Sequence, residues 1–362
     1  MKKLKLSIIL VMTLGYSINV MGGNEDRAGE AGASQILINP WTQSVGWGGA
    51  NTASVTGLEA MSLNIAGLAF TRKTEVLVNH KRYLVGSDVA INTFGLAQRV
   101  GETGVIGISI MSMSFGDIEI TEVDLPEGGV GTFSPKYTNI DIGFAKTFSN
   151  SISGGLSLKI ISEAIANVSS RGYAFDAGIR YVTGDNDQIK FGIALKNVGP
   201  TMRPTGDGVS FTTEEENANG NAYLTTKDHR VEDFQLPSLL NIGASYDFYI
   251  SPKVDTTSKE ISADHRITLA GNFTSNSFTK DQYRIGLEYG FRNLFMLRGG
   301  YVLEQNTWFD SEKRTSAYTG PAFGASFIAP LGKKGTTFGF HYAYQMTENF
   351  SGTHSIGIKL DL

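Results

Sequence analysis

The sequence predicts an all-β chain, a transmembrane antiparallel β-barrel of about fourteen strands with an N-terminal plug segment. Three observations carry that expectation. Apolar and polar residues alternate with a period of two, in runs of about ten residues, the length a tilted strand needs to cross a bilayer. Charged residues make up only 18% of the chain while glycine reaches 43 of 362 positions, against about 25% and about 7% in average soluble domains. The one long apolar stretch lies at the amino terminus, and it is too short and wrongly flanked for a stable membrane span.

That stretch comes first. Met1-Lys2-Lys3-Leu4-Lys5 is a basic n-region, Leu6 to Val20 is apolar, and Gly22-Gly23 precede the polar Asn24-Glu25-Asp26-Arg27. Residues 1–23 therefore read as a secretory signal peptide. No later apolar run approaches the ~18 residues of a membrane helix. An exported chain of this kind that lies in a membrane does so as a closed barrel, since only a barrel or a helix satisfies every backbone group in lipid.

Residues 24–72 lack the strand pattern. Gly48-Gly49-Ala50, then Thr52, Ala53, Ser54 and Gly57, then Asn64-Ile65-Ala66-Gly67-Leu68, are small residues that let backbone pack closely, and Leu58 to Leu63 fits a short helix. Such a segment ahead of a barrel fits a lumen plug, with Gly48, Gly49, Ala50, Asn64, Gly67 and Leu68 as its candidate contacts. The alternative is a periplasmic extension outside the barrel.

Residues 73–362 form the barrel. Tyr173, Phe175, Ala177, Ile179 and Tyr181 alternate with Ala174, Asp176, Gly178 and Arg180, and Tyr283, Ile285, Leu287 and Tyr289 with Gln282, Arg284, Gly286 and Glu288. Period two places each set on its own face. Fourteen segments follow: 74–83, 87–100, 103–120, 136–148, 151–168, 171–183, 187–198, 236–250, 262–274, 279–290, 293–304, 317–329, 335–346 and 351–362. An even number suits a single-chain bacterial barrel. Loop lengths alternate as they should: Ser149-Asn150, Gly184-Asp185-Asn186, Phe291-Arg292 and the stretch around Gly332-Lys333-Lys334 are tight, while 121–135, 199–235 and 305–316 are long. Ser251–Ile261 breaks the rule as a long loop on the short-turn side. A soluble β-sandwich is the competing architecture. Its strands are usually five or six residues, and its solvent faces do not carry charge-free aromatic sets strand after strand.

Chemistry by motif is close to absent. The five histidines form no i, i+4 pair, there is no phosphate-binding G-x-x-x-x-G-K-[ST] and no G-x-S-x-G elbow. With no cysteine there is no thiolate nucleophile, disulfide or lipoprotein acylation site. The net charge of −4 argues against a nucleic-acid partner, which calls for a basic stripe. No catalytic residue, cofactor or metal is expected. The inward charges Asp141, Lys159, Asp176, Arg180, Arg284, Glu288, Lys359 and Asp361 either pair in the lumen or line a pore; left single and buried, each costs several kcal/mol. In the long loops, Pro126, Pro135, Pro200 and Pro204 stiffen the chain, and Trp308-Phe309 form an aromatic pair suited to a partner.

Several strings together resemble a known family. Ala33-Ser34-Gln35-Ile36-Leu37-Ile38-Asn39-Pro40, Gly48-Gly49-Ala50 and Asn64-Ile65-Ala66-Gly67-Leu68-Ala69 look like the start of the PorV/PorQ family, within the FadL-like fourteen-stranded outer-membrane barrels. Ala174-Phe175-Asp176-Ala177-Gly178, Leu195-Lys196-Asn197-Val198-Gly199-Pro200, Leu236-Pro237-Ser238, Leu297-Arg298-Gly299-Gly300-Tyr301 and Tyr342-Ala343-Tyr344 continue it in order. Ile65 stands where the family's Asn-Pro-Ala-Gly-Leu has proline, and Leu362 where such barrels commonly have an aromatic. The resemblance implies a bacterial outer-membrane location. It also implies a non-enzymatic accessory role beside a larger secretion or assembly barrel of Bacteroidota-type bacteria, as in type IX secretion, with outer-membrane lipid, that barrel and cargo protein as partners. FadL-like relatives imply the alternative, a plugged channel for hydrophobic small molecules.

Overall fold

The computed structural model describes residues 25–254, 261–305, 307, 314–332, 335–347 and 350–362. Fourteen strands form the wall. They are β1 (Thr74–Tyr83), β2 (Val89–Val100), β3 (Gly104–Ser114), β4 (Lys136–Thr147) and β5 (Ile152–Ile165). Then come β6 (Val168–Thr183), β7 (Ile189–Val198), β8 (Leu239–Val254), β9 (Ile261–Asn276) and β10 (Gln282–Phe291). β11 (Phe295–Glu304), β12 (Gly320–Leu331), β13 (Thr336–Gln345) and β14 (Thr353–Asp361) complete the set. Each pairs antiparallel with its neighbour in sequence, and β1 pairs with β14 from Glu75↔Asp361 to Arg82↔His354. The sheet closes on itself and leaves no free edge, which is what a sheet in lipid requires.

The alternation seen in the sequence sets the two faces. Outward positions such as Tyr173, Phe175, Ile179 and Tyr181 on β6, or Leu240, Ile242, Tyr246 and Phe248 on β8, are exposed, while their neighbours Ala174, Asp176, Arg180 and Asn241 are buried. A wall of exposed aliphatic and aromatic side chains around a polar interior is inside-out for water and correct for acyl chains. No helix among the described residues is long and apolar enough to cross a membrane.

Connections at the end holding Glu75 and Asp361 are short. In one of them three residues, 292–294, join Phe291 to its partner Phe295, with Arg292 (φ 52°) and Asn293 (φ 54°) both in the left-handed region and the Leu294 N–H donating to the Phe291 carbonyl. Connections 115–135, 199–238 and 305–319 at the other end are long, so that end faces the exterior.

Three expectations about boundaries are corrected. The segment 103–120 ends as a barrel strand at Ser114; beyond it Ile118–Glu119 pairs with Thr132–Phe133 in a separate small ladder. The loop 199–235 is not featureless: Pro204–Thr205 pairs with Ser169–Ser170, and Ser210–Glu216 pairs with Ala222–Asp228 in a projecting hairpin. Ser251–Ile261 is not a long loop, because β8 and β9 stay paired out to Val254↔Ile261; residues 255–260 are outside those described. Sixteen-residue strands carry the ladder past the apolar run, into a stretch whose polar sequence looks like loop.

Candidate functional site

The lumen holds the N-terminal segment. Its first described residues lie at the exterior mouth: Ala31 bridges to Gln235, and the Arg27 guanidinium donates to Gln235 Oε1 and sits over the Phe278 ring. A 3₁₀ turn at Ser34–Leu37 leads inward, followed by a short α-helix at Thr42–Gly46 and two more 3₁₀ turns at Gly57–Ser62 and Ile65–Phe70. The chain leaves at the opposite end, where Arg99 of β2 donates to the carbonyls of Ala69 and Thr71. Trp41, Ala50, Leu58, Ala60 and Leu68 are fully buried, and Asn64 and Ile65 nearly so.

Glycine in the wall makes room for this. A Cβ added at Gly324 would lie 2.9 Å from Gly46 Cα, at Gly286 2.6 Å from Trp47 Cε3, at Gly192 2.8 Å from the Thr52 carbonyl oxygen, and at Gly107 2.9 Å from Met61 Sδ. At Gly300 it would overlap the Trp47 carbonyl carbon and oxygen. Wall and segment touch backbone to backbone, which only an absent side chain permits. On the segment itself Gly48 (φ 62°) and Gly49 (φ 74°) make the bend under Arg284. Asn64 accepts from Ala66 N–H and donates to the Thr52 and Ile179 carbonyls, tying the segment to β6. Gly67 packs against the Val55 carbonyl. Ile65 fills the hollows over Gly143 and Gly155.

Most inward charges are paired. Lys159 donates to Asp176 at 2.5 Å and to Asn197 Oδ1 at 2.8 Å, with both ionic side chains 4% exposed. Glu288 bridges Arg266 (2.5 Å) and Arg298 (2.6 Å), and Lys359 reaches both Glu75 (3.2 Å) and Asp361 (3.6 Å). Lys190 pairs with Asp247. Glu59 of the segment accepts from Gln43 N–H, Ser44 N–H and Ser44 Oγ–H. Arg180 donates to the Val55 carbonyl and lies over the Phe70 ring, and Arg284 donates to Gln282 Oε1. Asp141 is buried and its Oδ1 has no hydrogen-bond partner. Glu75, Lys81, Lys190, Lys196, Asp247, Arg266 and Arg298 were not singled out in the sequence. Each sits at an inward position, and that position was the only signal available.

Among the described residues, three cavities larger than about 300 Å³ lie around the segment. One of about 320 Å³ faces the short-turn end and is lined by charge: Arg180, Asp247, Arg266, Glu288 and Arg298, with Glu59 and Trp47. Two lie in the exterior half. The larger, about 450 Å³, is bounded by Leu37, Ile38, Tyr83, Met113, Phe115 and Leu239 on its apolar side and by Thr274, Gln282, Arg284 and Tyr318 on its polar side. The other, about 390 Å³, is lined by Tyr137, Ile165, Val168, Pro204 and Phe234 at the mouth. Gln35 and Phe115 line both of these cavities and form the partition between them. Volumes of this size fall in the range of small-molecule sites, roughly 300–1,000 Å³. Among the described residues no group of three or more His, Asp or Glu is placed to hold a metal ion. Pro200 is exposed and lines neither cavity, Pro204 pairs with Ser170, and Trp308 and Phe309 lie outside the described residues.

No protein-family model matches the chain, and no curated protein matches it in sequence. Among solved structures it is similar to the Pseudomonas putida toluene transporter TodX, with a TM-score of 0.54 and 12% identity over 89% of this chain and 97% of that one. The fold is FadL-like. The chain is also similar to the TodX deltaS2S3 mutant monoaromatic hydrocarbon channel, with a TM-score of 0.51 and 13% identity over 88% of this chain and 96% of that one. A Pseudomonas aeruginosa FadL homologue aligns with a TM-score of 0.48 and 11% identity over 89% and 97%. With its lipid-facing wall, closed seam and fourteen-strand count, the chain is an outer-membrane β-barrel.

Proposed function

We propose that this barrel takes up hydrophobic small molecules at the bacterial surface and passes them into the outer membrane or across it, without enzymatic chemistry. The observation that carries the reading is the pair of exterior-half cavities, each with an apolar lining in part and sharing Gln35 and Phe115, above a waist that the N-terminal segment fills. The likeness in fold to a toluene transporter supports it. The test is uptake and equilibrium binding of a monoaromatic hydrocarbon by the full chain and by Met113→Trp, whose indole would occupy the larger cavity. Saturable binding lost at least tenfold in the variant, with folding intact, is expected. Absence of saturable binding in the unaltered barrel would overturn the reading.

A second reading is an accessory subunit of a secretion or assembly machine. Two features favour it. The waist is filled with ion pairs and closed by the segment, and the hairpin 210–228 projects from the exterior end with Phe211, Tyr223 and Leu224 exposed, Leu224 at 74%. Exposed apolar side chains on a projecting hairpin fit a protein contact. Pull-down from mildly solubilised outer membranes tests this independently: stoichiometric recovery of a larger barrel, lost on deletion of residues 205–230, would establish it, and recovery of the chain alone would refute it.

A further inference from the structure

The lipid-facing wall is not uniform. On β8 the outward positions Leu240, Ile242, Ala244, Tyr246, Phe248 and Ile250 are all apolar or aromatic. On β1 the apolar run is only Val76 and Val78, and the next two outward positions toward the exterior are His80 and Arg82, both exposed. The register extends this break sideways. Arg82 stands opposite His354 on β14 and Ala90 on β2, Ala90 opposite Ser114 on β3, and Ser114 opposite Lys136 on β4. One row nearer the membrane centre, His80 hydrogen-bonds Asn92 at 2.8 Å. Arg82 and Lys136 are thus three strands apart, on the order of 14 Å at about 4.8 Å per strand, with only small residues between them.

These two rows hold Arg82, Lys136, His80 and His354 and not one carboxylate. No ion pair among the described residues engages Arg82 or Lys136. Facing acyl chains, such cations are costly unless they sit at headgroup depth beside an anion. A phosphate meets that need: Arg binds it through its planar fork, Lys as a point charge, and Asn92 and Ser114 add neutral donors. At the β14 edge of the patch His354 lies against the Tyr342 and Tyr344 rings and hydrogen-bonds the Tyr342 hydroxyl, an aromatic border of the kind found at headgroup depth, while the row across the strands from Arg82 to Lys136 carries no aromatic side chain.

We propose that the outward face of β14–β1–β2–β3–β4 at its exterior end is a binding site for the phosphate groups of an outer-leaflet glycolipid. Arg82 and Lys136 take separate phosphates, and His80, His354 and Asn92 flank the first. Arg82, His80 and His354 line none of the cavities described above, while Lys136 stands at the rim of the one at the mouth.

The experiment uses the full chain purified in mild detergent, with bisphosphorylated lipid A and its dephosphorylated counterpart as probes, read by native mass spectrometry. The comparison is unaltered protein, Arg82→Ala/Lys136→Ala, and His265→Ala at the opposite end as control. Heat-modifiable gel mobility verifies that all three remain closed barrels. The expected result is retention of bisphosphorylated lipid A by the unaltered chain and by the control, a loss of at least tenfold in the double variant, and no retention of the dephosphorylated lipid. Equal retention by the double variant, equal retention of the dephosphorylated lipid, or no retention by the unaltered chain would overturn the proposal. So would a co-purifying protein that is lost in the double variant while lipid retention is unchanged.

Discussion

Gly299 and Gly300 are adjacent on β11 and point to opposite faces, so the same substitution at each separates what the strand tolerates from what the lumen tolerates. A Cβ at Gly299 meets nothing within 4 Å. Gly299→Ala therefore loses nothing and gains from reduced freedom of the unfolded chain, about 0.4–1 kcal/mol. A Cβ at Gly300 would overlap the Trp47 carbonyl and come within 2.6 Å of Gly48 N. Those are backbone atoms, so relief requires moving the whole segment rather than rotating a side chain. Overpacking typically costs 1–3 kcal/mol, and with backbone as the obstacle we expect the upper end, about 3 kcal/mol, which shifts the seated-to-displaced equilibrium roughly a hundredfold. Denaturant titration read by heat-modifiable mobility gives the stability difference, and ion conductance in planar bilayers reports whether the segment has left its seat. Gly300→Ala should be less stable than Gly299→Ala by about 3–4 kcal/mol and should conduct more. If the two variants matched in stability and conductance, close backbone contact would not be what holds the segment in place.

Three further outcomes follow from the same geometry. Asp176→Asn leaves the buried Lys159 ammonium without its carboxylate and should destabilise the barrel by about 3–5 kcal/mol, whereas Lys159→Met/Asp176→Leu should cost much less, since removing both charges removes the unpaired ion; denaturant midpoints compare them. In the projecting hairpin, the Lys227 ammonium and the Tyr223 hydroxyl hold the Glu215 carboxyl below its ordinary value. A lowered carboxyl contributes stability above its unfolded value that is lost as pH falls through the folded one, so hydrogen-exchange protection at 210–228, taken relative to the intrinsic rate at each pH, should fall as pH drops below the ordinary value of 4.5, and protection in Glu215→Gln should not change with pH. Phe115→Ala joins the two exterior-half cavities and should speed hydrocarbon entry several-fold while costing about 2–4 kcal/mol of stability; stopped-flow binding checks the rate.

The wall is legible because lipid imposes one rule on every strand: outward residues in the apolar belt are apolar, so a period of two survives from β1 to β14 and breaks only toward the rims, as at His80 and Arg82. That rule fades where strands leave the membrane. Phe211, Thr213 and Glu215 of the hairpin, and Ser251-Pro252-Lys253 of β8, carry ladder hydrogen bonds in water, where nothing forces alternation. Inside the lumen the sequence marks which residues face inward but not which meet. Asp176 finds Lys159 two positions along the adjacent strand, while Glu288 draws Arg298 from directly opposite on the next strand and Arg266 from two positions along the previous one, partners set by the register between strands rather than by spacing along the chain. The apolar exterior-half cavities were invisible for the same reason: Leu37, Tyr83, Met113 and Leu239 come from four separate stretches and are ordinary core residues in each. Glycine excess was visible as composition, and its cause appears only where Gly300, Gly286 and Gly324 meet Trp47 and Gly46.

The strand that closes the ring is the first one, and it joins the last, so residues some 280 positions apart must meet before the cylinder exists. The chain ahead of β1 runs from the exterior mouth to the opposite rim. Feeding that stretch through a finished cylinder would mean drawing Trp41 past Gly95 and Trp47 past Gly286 and Gly300, where the wall leaves no room for a side chain. Closing the first-to-last seam around a chain already laid in place needs no such passage. The glycine hollows of the wall are then matched to a stretch that lies inside when the first strand meets the last.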